Sequence, residues 1–460
     1  MLEQRRLWLA HAVRLGLLAT VSGSLGGLAA CTAAPRPRAA KSRALQPTID
    51  ATTGLTLLRL PPGFRYFTFG WAGETLASGA RIPASADGMG IVHAEGSTLT
   101  LVRNHEITDA AGAFDPNAEA YDPSCGGGCI RMTVDLARER LVSAETALAG
   151  TLINCAGGVT PWGSWISCEE VVISTDQILQ DASGRRRVEG LKQPHGLCFE
   201  VARSGPPQVR PLPGMGMFRH EAIAVDPHTG HVYETEDRDV ECGFYRYTPR
   251  VPGDLAAGGV LEMLAAEGAP DLRRGLKVGQ RWRVHWVPIA DPLRGHTPGT
   301  NDSGGVVAQG IAAGGSRFIR LEGCLAREDG IWFTSTSGGD AAAGQVWRYD
   351  PRASSLELMF EVSDRSEMDY PDNIHQGLGD GLVICEDSKI RERQKIKWLG
   401  RDGRLLTLAE NDATVDGVYY GASEWAGCCV SPDGRWLFAN VYRPGFTVAI
   451  TGPWDDWLQA

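Results

Sequence analysis

An all-β chain folded as a β-propeller is the architecture this sequence predicts, and three observations point to it. Glycine makes up 57 of the 460 residues, well above the usual ~7%, and follows no collagen period. That excess reads as many tight turns and argues against long helical bundles. Hairpin-like units recur along the chain, and they are spaced roughly as propeller blades are.

The chain begins with an export-like segment. Arg5, Arg6 and Arg14 precede or flank an apolar, uncharged stretch over Leu15–Ala30, shorter than the ~20 residues that span a bilayer. Residues 1–30 therefore read as a signal peptide. The segment ends in Leu28-Ala29-Ala30-Cys31, similar to the lipoprotein box in which the cysteine is acylated. Arg5-Arg6 followed by Leu7-Trp8-Leu9 resembles a twin-arginine signal. The expected location is the periplasm or outer surface of a bacterial envelope, with the membrane touched only through a lipid on Cys31. Residues 31–51, rich in Pro, Ala and Arg over 32–48, read as a tether. Residues 52–460 are expected to form one propeller domain.

Within that domain four units stand out. His220-Glu221 is followed by AIAVDPHTGHVYETED, and Glu322-Gly323 by CLAREDGIWFTSTSGGD. Asp372-Asn373 is followed by IHQGLGDGLVICED, and Glu424-Trp425 by AGCCVSPDGRWLFANV. In each, a polar or acidic residue opens a short apolar strand, a turn of Asp, Pro or Gly follows, and a second β-rich strand ends near a polar residue. Two units continue into a third strand, Gly243–Tyr247 and Gln345–Asp350, each with aromatic-Arg-Tyr. Starts at 221, 322, 372 and 424 are 101, 50 and 52 residues apart. The doubled first gap predicts a further blade around Arg281–Gly310. Before it, 251–280 reads as a loop-like insertion with a short helix, leading to a strand at Arg281–Val287. Roughly 400 residues at ~40–50 per blade allow six blades with insertions, or more. A multidomain two-sheet sandwich explains the repeats less well.

The net charge of −10 becomes −12 once residues 1–30 are removed. No basic excess suggests nucleic acid, and the overall field does not attract anions. An anionic substrate would need a local reversal of sign, which bound cations provide. In a propeller the residues opening the first strands meet at one end of the channel. Here these are Glu221, Glu322, Asp372 and Glu424. Closers Glu236-Asp237 and Glu386-Asp387 fit the same scheme. So do Arg103-Asn104-His105-Glu106, after Thr98–Val102, and Ser167-Cys168-Glu169-Glu170, after Trp162–Ile166. Carboxylates crowded in a low dielectric repel, so such a ring persists only around cations. Carboxylates suit calcium, and a thiolate such as Cys168 suits a transition metal such as iron. Singly, each glutamate reads better as a capping or solvated residue, and Cys168 as a buried apolar one. Recurrence at matching positions is what favours ligands.

Ten cysteines follow Cys31. Cys125 and Cys129 are candidates for a disulfide or loop clip, and of Cys428 and Cys429 one is expected to be buried and the other paired or free. No CxxC…CxxC zinc pattern occurs.

At these residues the chain resembles the PhoX family of secreted bacterial alkaline phosphatases, from about Gly54 to Trp454. The most specific match is Asn154-Cys-Ala-Gly-Gly-Val-Thr-Pro-Trp-Gly-Ser-Trp-Ile-Ser-Cys168-Glu-Glu170. Arg103-Asn-His-Glu106, Arg219-His-Glu221, Thr235-Glu-Asp-Arg238, Arg320-Leu-Glu-Gly323 and the closing segment from Gly445 to Trp454 also match. The resemblance implies a six-bladed β-propeller with iron and calcium at the channel mouth. It maps Cys168 as an iron ligand, Glu221 and Glu322 as metal ligands, and Arg320 as the phosphate-binding cation. Blade position extends ligand roles to Glu106, Glu386, Asp387 and Glu424. The chain is shorter than those phosphatases, so the scaffold and metals follow more firmly than the turnover.

The expected activity is metal-assisted hydrolysis of small phosphate monoesters by a monomer. His220 or His105 would protonate the leaving oxygen, with hydrogen bonding to neighbouring groups the equal alternative. Arg320 has its own alternative, a structural pair with a pore carboxylate. No G-x-S-x-G elbow supports a serine nucleophile. The rivals are a calcium-dependent propeller hydrolase of another ester class and a surface-anchored binding propeller without turnover.

Overall fold

Short β-branched and aromatic runs between Asp-, Pro- and Gly-containing turns fold as antiparallel strands throughout the chain. The computed structural model describes residues 44–180, 183 and 185–459. The signal peptide, Cys31 and the tether up to residue 43 lie outside the described residues. No helix among the described residues is long and apolar enough to cross a membrane.

The strands form an all-β, propeller-like ring. Ala86–Glu95, Thr98–His105, Gly127–Asp135 and Arg140–Thr151 form one four-stranded sheet. Asn154–Val159, Trp165–Glu169 and Cys198–Val201 form the next. His220–Val225, Val232–Glu236, Phe244–Val251 and Asp254–Ala266 follow, then Leu321–Arg327, Gly330–Ser335, Gln345–Asp350 and Ser355–Glu361. The strand Arg281–Pro288 pairs with the outer strands of both these groups and joins them into one sheet. Pro371–Gly377, Gly379–Glu386, Lys395–Leu399 and Leu405–Asn411 are extended by Thr56–Leu60 and Gln46–Ile49. Finally, Trp425–Val430, Leu437–Val441 and Phe446–Thr451 are completed by the early strand Arg65–Phe69, which ties the two ends of the chain together. The first strands of successive groups pack against one another in chain order, and Trp425–Val430 returns to pack on Ala86–Glu95.

Three sequence expectations are corrected. Residues 251–280 hold a long strand, Asp254–Ala266, rather than a loop with a helix. No blade lies at Arg281–Gly310: one outer strand is followed by a loop and the helix Gly305–Ala312. Residues 46–49, assigned to the tether, pair with Thr56–Leu60 as a strand. The turn chemistry of 251–280 hid the strand, because its first half pairs on one side only and tolerates Gly and Ala.

Apolar layers fill the space between neighbouring sheets. Around the axis the first strands approach too closely for side chains. A Cβ on Gly88 would lie 2.5 Å from the Cα of Ala156, and one on Gly323 would lie 2.6 Å from the carbonyl of Asp372. Part of the glycine excess therefore serves close strand packing, not turns.

Candidate metal centre at the channel mouth

The same irregularity opens each of the six first strands. The register shifts between Ala86 and Met89, Asn154 and Gly157, His220 and Ile223, Leu321 and Cys324, Pro371 and Ile374, and Ala426 and Cys429. A β-bulge there turns the extra side chain out of the pleat. The residue it re-aims is Asp87, Cys155, Glu221, Glu322, Asp372 or Gly427. Five equivalent positions thus carry a metal-binding side chain. Four of these strands are entered through a non-glycine residue in the left-handed region: Ser85, Ile153, Arg320 and Tyr370, with φ between 45° and 55°. That conformation costs about 1–2 kcal/mol each, and strain of this kind concentrates at functional sites.

The re-aimed side chains converge. Potential ligand atoms of Glu221, Glu322 and Asp372 lie within 4.8 Å of one another, as do those of Cys155, Glu170 and Glu221, and those of Asp87, Glu106 and Glu424. Glu221 belongs to two of these groups and links them. Asp387 joins the edge beside Glu424 and Glu106.

Burial, reinforced by mutual repulsion at low dielectric, dominates the electrostatics of the mouth. Burial, then Glu170, Asp372 and Asp87, hold the Glu221 carboxyl well above the usual range. Burial and neighbouring carboxylates do the same to Asp87, Glu322 and Glu424. Burial pushes Glu170 up to about 8 and Asp372 up to about 7, although Arg219 and Arg320 pull them back. Without cations these groups would hold protons near neutral pH.

Basic side chains rim the cluster. The Arg320 guanidinium donates from Nε to Asp237 at 3.1 Å and from Nη2 to Glu322 at 2.5 Å. Burial lowers its pKa, but Glu322 and Asp237 raise it overall, so it remains a cation. Arg219 pairs with Glu170, and Lys389 with Asp387. A groove of about 510 Å³ opens beside Glu106, lined also by Ser85, Asp109, Tyr420 and Arg443. A second cavity, of about 490 Å³, lies toward the other end of the first strands, among Val159, Val225, Pro227 and His375, and holds none of the converging carboxylates.

A family model described as alkaline phosphatase PhoX matches residues 43–142 and 132–445. The chain belongs to the PhoX alkaline phosphatase family. Membership assigns it a phosphatase function. A search of curated proteins finds no match. Among solved structures, PhoX from Pseudomonas fluorescens in complex with vanadate, a transition state analogue, is similar at a TM-score of 0.63 and 16% identity, covering 90% of this chain and 98% of that one. That likeness establishes a shared fold. Two weaker likenesses are a nidogen/laminin complex (TM-score 0.36, 8% identity, 68% of this chain and 82% of that one) and the PQQ-bound aldose sugar dehydrogenase of Streptomyces coelicolor (TM-score 0.36, 12% identity, 79% and 86%).

Within this PhoX-family chain the structure sorts the expected site residues. Glu106, Glu221, Glu322, Asp387, Glu424 and Arg320 all lie at the mouth. Cys168 does not. It follows strand alternation into the layer between two sheets, where its Sγ is 3.6 Å from Sγ of Cys198. The thiol at the mouth is Cys155. Glu386 is turned into an ion pair with Arg391 at 3.0 Å and accepts the Asp369 N–H. His105 is enclosed, with Nδ1 2.9 Å from the Ala84 carbonyl. Burial, then Arg103, holds its pKa well below the usual value, which disfavours the imidazolium that a proton donor needs. His220 faces Glu234 and the Gly216 carbonyl, and not the carboxylates of the mouth. The ten described cysteines are all buried and unpaired, including Cys125, Cys129, Cys428 and Cys429.

Sequence reasoning missed Asp87 and Cys155, gave no ligand role to Glu170, and named Asp372 as a strand opener without making it a ligand. The signal was present in the strand openings ADG, NCA, HEA, LEG and PDN. Each places the functional residue second, one position into the bulge.

Proposed function

We propose that the chain hydrolyses phosphate monoesters at the channel mouth, around bound calcium and iron. The observation that carries this reading is the set of five equivalent bulge positions, whose four carboxylates and one thiol face one another with too few cations nearby to neutralise them. The donors suit the metals. Oxygen-rich groups such as Asp87, Glu106 and Glu424 match calcium, and Cys155 with Glu170 and Glu221 matches iron. Buried Oδ1 of Asp372 has no hydrogen-bond partner, as expected of an oxygen reserved for a cation.

Bound metals would supply Lewis-acid polarisation of phosphoryl oxygens. The chain's own residues do the rest. Arg320 is held by Asp237 and Glu322 through Nε and Nη2, which leaves Nη1 to meet a phosphate oxygen and offset its charge. Asp237 and Glu322 fix the guanidinium plane, so little is lost in ordering it. The rim cations Lys389 and Arg443 bring an anionic ester to an otherwise acidic protein. The groove beside Glu106 accommodates the leaving group and is open enough for varied esters.

The closed packing order of the six first strands supports a six-bladed propeller. Export as a lipoprotein anchored at Cys31, with the periplasm or outer surface as destination, remains the reading of the leader, and a monomer that of the folded domain.

The test is hydrolysis of an aryl phosphate by purified protein, before and after chelation and after reloading with calcium and iron. Loss on chelation and recovery on reloading are expected. Full activity in metal-free protein sinks the reading. No turnover of mono- or diesters after reloading would favour a binding propeller.

A further inference from the structure

A second group of metal-binding side chains lies away from the mouth, in the layer between two sheets. Cys168 on Trp165–Glu169 and Cys198 at the start of Cys198–Val201 are directly paired across adjacent strands. His220 and Glu234 come from the neighbouring sheet, on His220–Val225 and Val232–Glu236. Ligand atoms of Cys198, His220 and Glu234 lie within 4.8 Å of one another, and Cys168 is 3.6 Å from Cys198. All four residues are fully buried, beside Met215, Phe218 and Tyr245.

The polar atoms here are not satisfied. His220 Nε2 lies 3.1 Å from the Gly216 carbonyl, which keeps a proton on Nε2 and leaves Nδ1 as the nitrogen that faces Glu234. Nδ1 sits 3.2 Å from Oε2 of Glu234, yet neither Nδ1 nor either Glu234 oxygen has a partner in hydrogen-bonding geometry among the described residues. Buried polar atoms that face one another outside hydrogen-bonding geometry in an apolar layer are unfavourable unless a cation takes the place between them. A histidine that donates its other N–H to a backbone carbonyl is the usual posture of a metal ligand.

We propose that Cys168, Cys198, His220 and Glu234 bind a zinc-type divalent cation that staples two adjacent sheets together. Three of the four ligand atoms already lie within 4.8 Å of one another, and Cys168, outside that group but beside Cys198, would close on the ion as the fourth. Two sulfurs each ~2.3 Å from zinc are roughly 3.7 Å apart, and N and O ligands at ~2.0 Å are roughly 3.3 Å apart; the observed separations are 3.6 and 3.2 Å. A disulfide needs sulfurs at ~2.05 Å. Binding displaces the thiol protons to solvent and leaves two thiolates, one carboxylate and a neutral imidazole around the ion, a site of net charge −1. This site contributes no group to the phosphatase centre.

The test uses purified full-length protein, reloaded with zinc after chelation, and X-ray absorption at the zinc edge. One tightly held zinc per chain with two sulfur neighbours is expected, unchanged in Cys155→Ser, which removes the thiol at the mouth. Cys198→Ser should lose that zinc equivalent while the mouth keeps its iron and calcium. Should that variant not fold, wild-type protein decides. A zinc shell of oxygen and nitrogen alone, a single sulfur, no retained zinc, or a Cys168–Cys198 disulfide in non-reducing peptide mapping would each overturn the proposal. Activity depends on the mouth, so loss of this zinc and failure of the phosphatase reading are separate results.

Discussion

The channel mouth, partly open at its rim, and the fully buried polar knot around His195 are both rich in ionisable groups, yet they are built on opposite principles. In the knot, Glu169 accepts from the backbone of Leu152, Gly196 and Leu197 at 2.8–3.2 Å and pairs with His195 Nδ1 at 2.7 Å. Asp122 accepts from Ser124 and from the Lys192 and Gln193 backbone. Every charge has donors, and the knot is a structural clasp even though Asp122, Cys125 and His195 are spaced like metal ligands. At the mouth the carboxylates face one another instead. Burial of charge therefore does not mark a metal centre. Missing donors do.

The comparison can be broken at its strongest point first. Glu221→Gln removes the group shared by two ligand sets, and should lower aryl phosphate turnover more than ~100-fold, since even indirect supports of metal ligands cost 10–100-fold. Retained turnover with normal metal content would show the mouth is not the centre. Next, Cys155→Ser should strip the iron from the mouth, while Cys168→Ser should leave it in place and lower thermal stability. Elemental analysis and melting curves on both variants decide it, and the reverse result would restore Cys168 as the thiol at the mouth. The knot should respond in stability alone. Glu169→Gln leaves His195 and backbone donors without their carboxylate and should cost ~3 kcal/mol by urea unfolding, with metal content at the mouth unchanged.

The gentlest effect is one of pH. Burial would lower the His195 pKa, but Glu169 and the hydrogen bonds to Cys125 and Glu169 raise it overall from 6.5 to about 10. The protonated ring is thus favoured by folding. Its contribution is complete below about pH 6.5, shrinks as pH rises, and is lost above about pH 10. Unfolding midpoints should fall over that window in wild type and fall less in His195→Gln. Parallel curves would show that His195 carries no such linkage.

Cys168-Glu169-Glu170 shows how much of this was legible. The sequence marked the tripeptide as one part of the site, but its three side chains go three ways. Cys168 enters the layer between sheets, Glu169 the knot and Glu170 the mouth. Strand alternation separates Cys168 from Glu169, but which face belongs to which neighbour depends on sheets that pack from elsewhere. The openers Glu221, Glu322 and Glu424 were readable because they recur before similar turns. Asp87 and Cys155 were not, because their equivalence lies in a bulge, and a bulge is a property of pairing between two strands. The outer strand Asp254–Ala266 was lost for a related reason: with Gly and Ala in its middle it carries no apolar alternation of its own.

Composition, turn chemistry and recurring acidic openers determined an all-β, hairpin-built chain with a crowded acidic site, and its ordered motifs carried the PhoX resemblance, because these are local properties written in consecutive residues. Tertiary structure alone decided which thiol joins that site, which histidines are sealed away and which carboxylates are already satisfied. Those outcomes depend on register and on donors supplied by distant strands, and neither is encoded within any one segment.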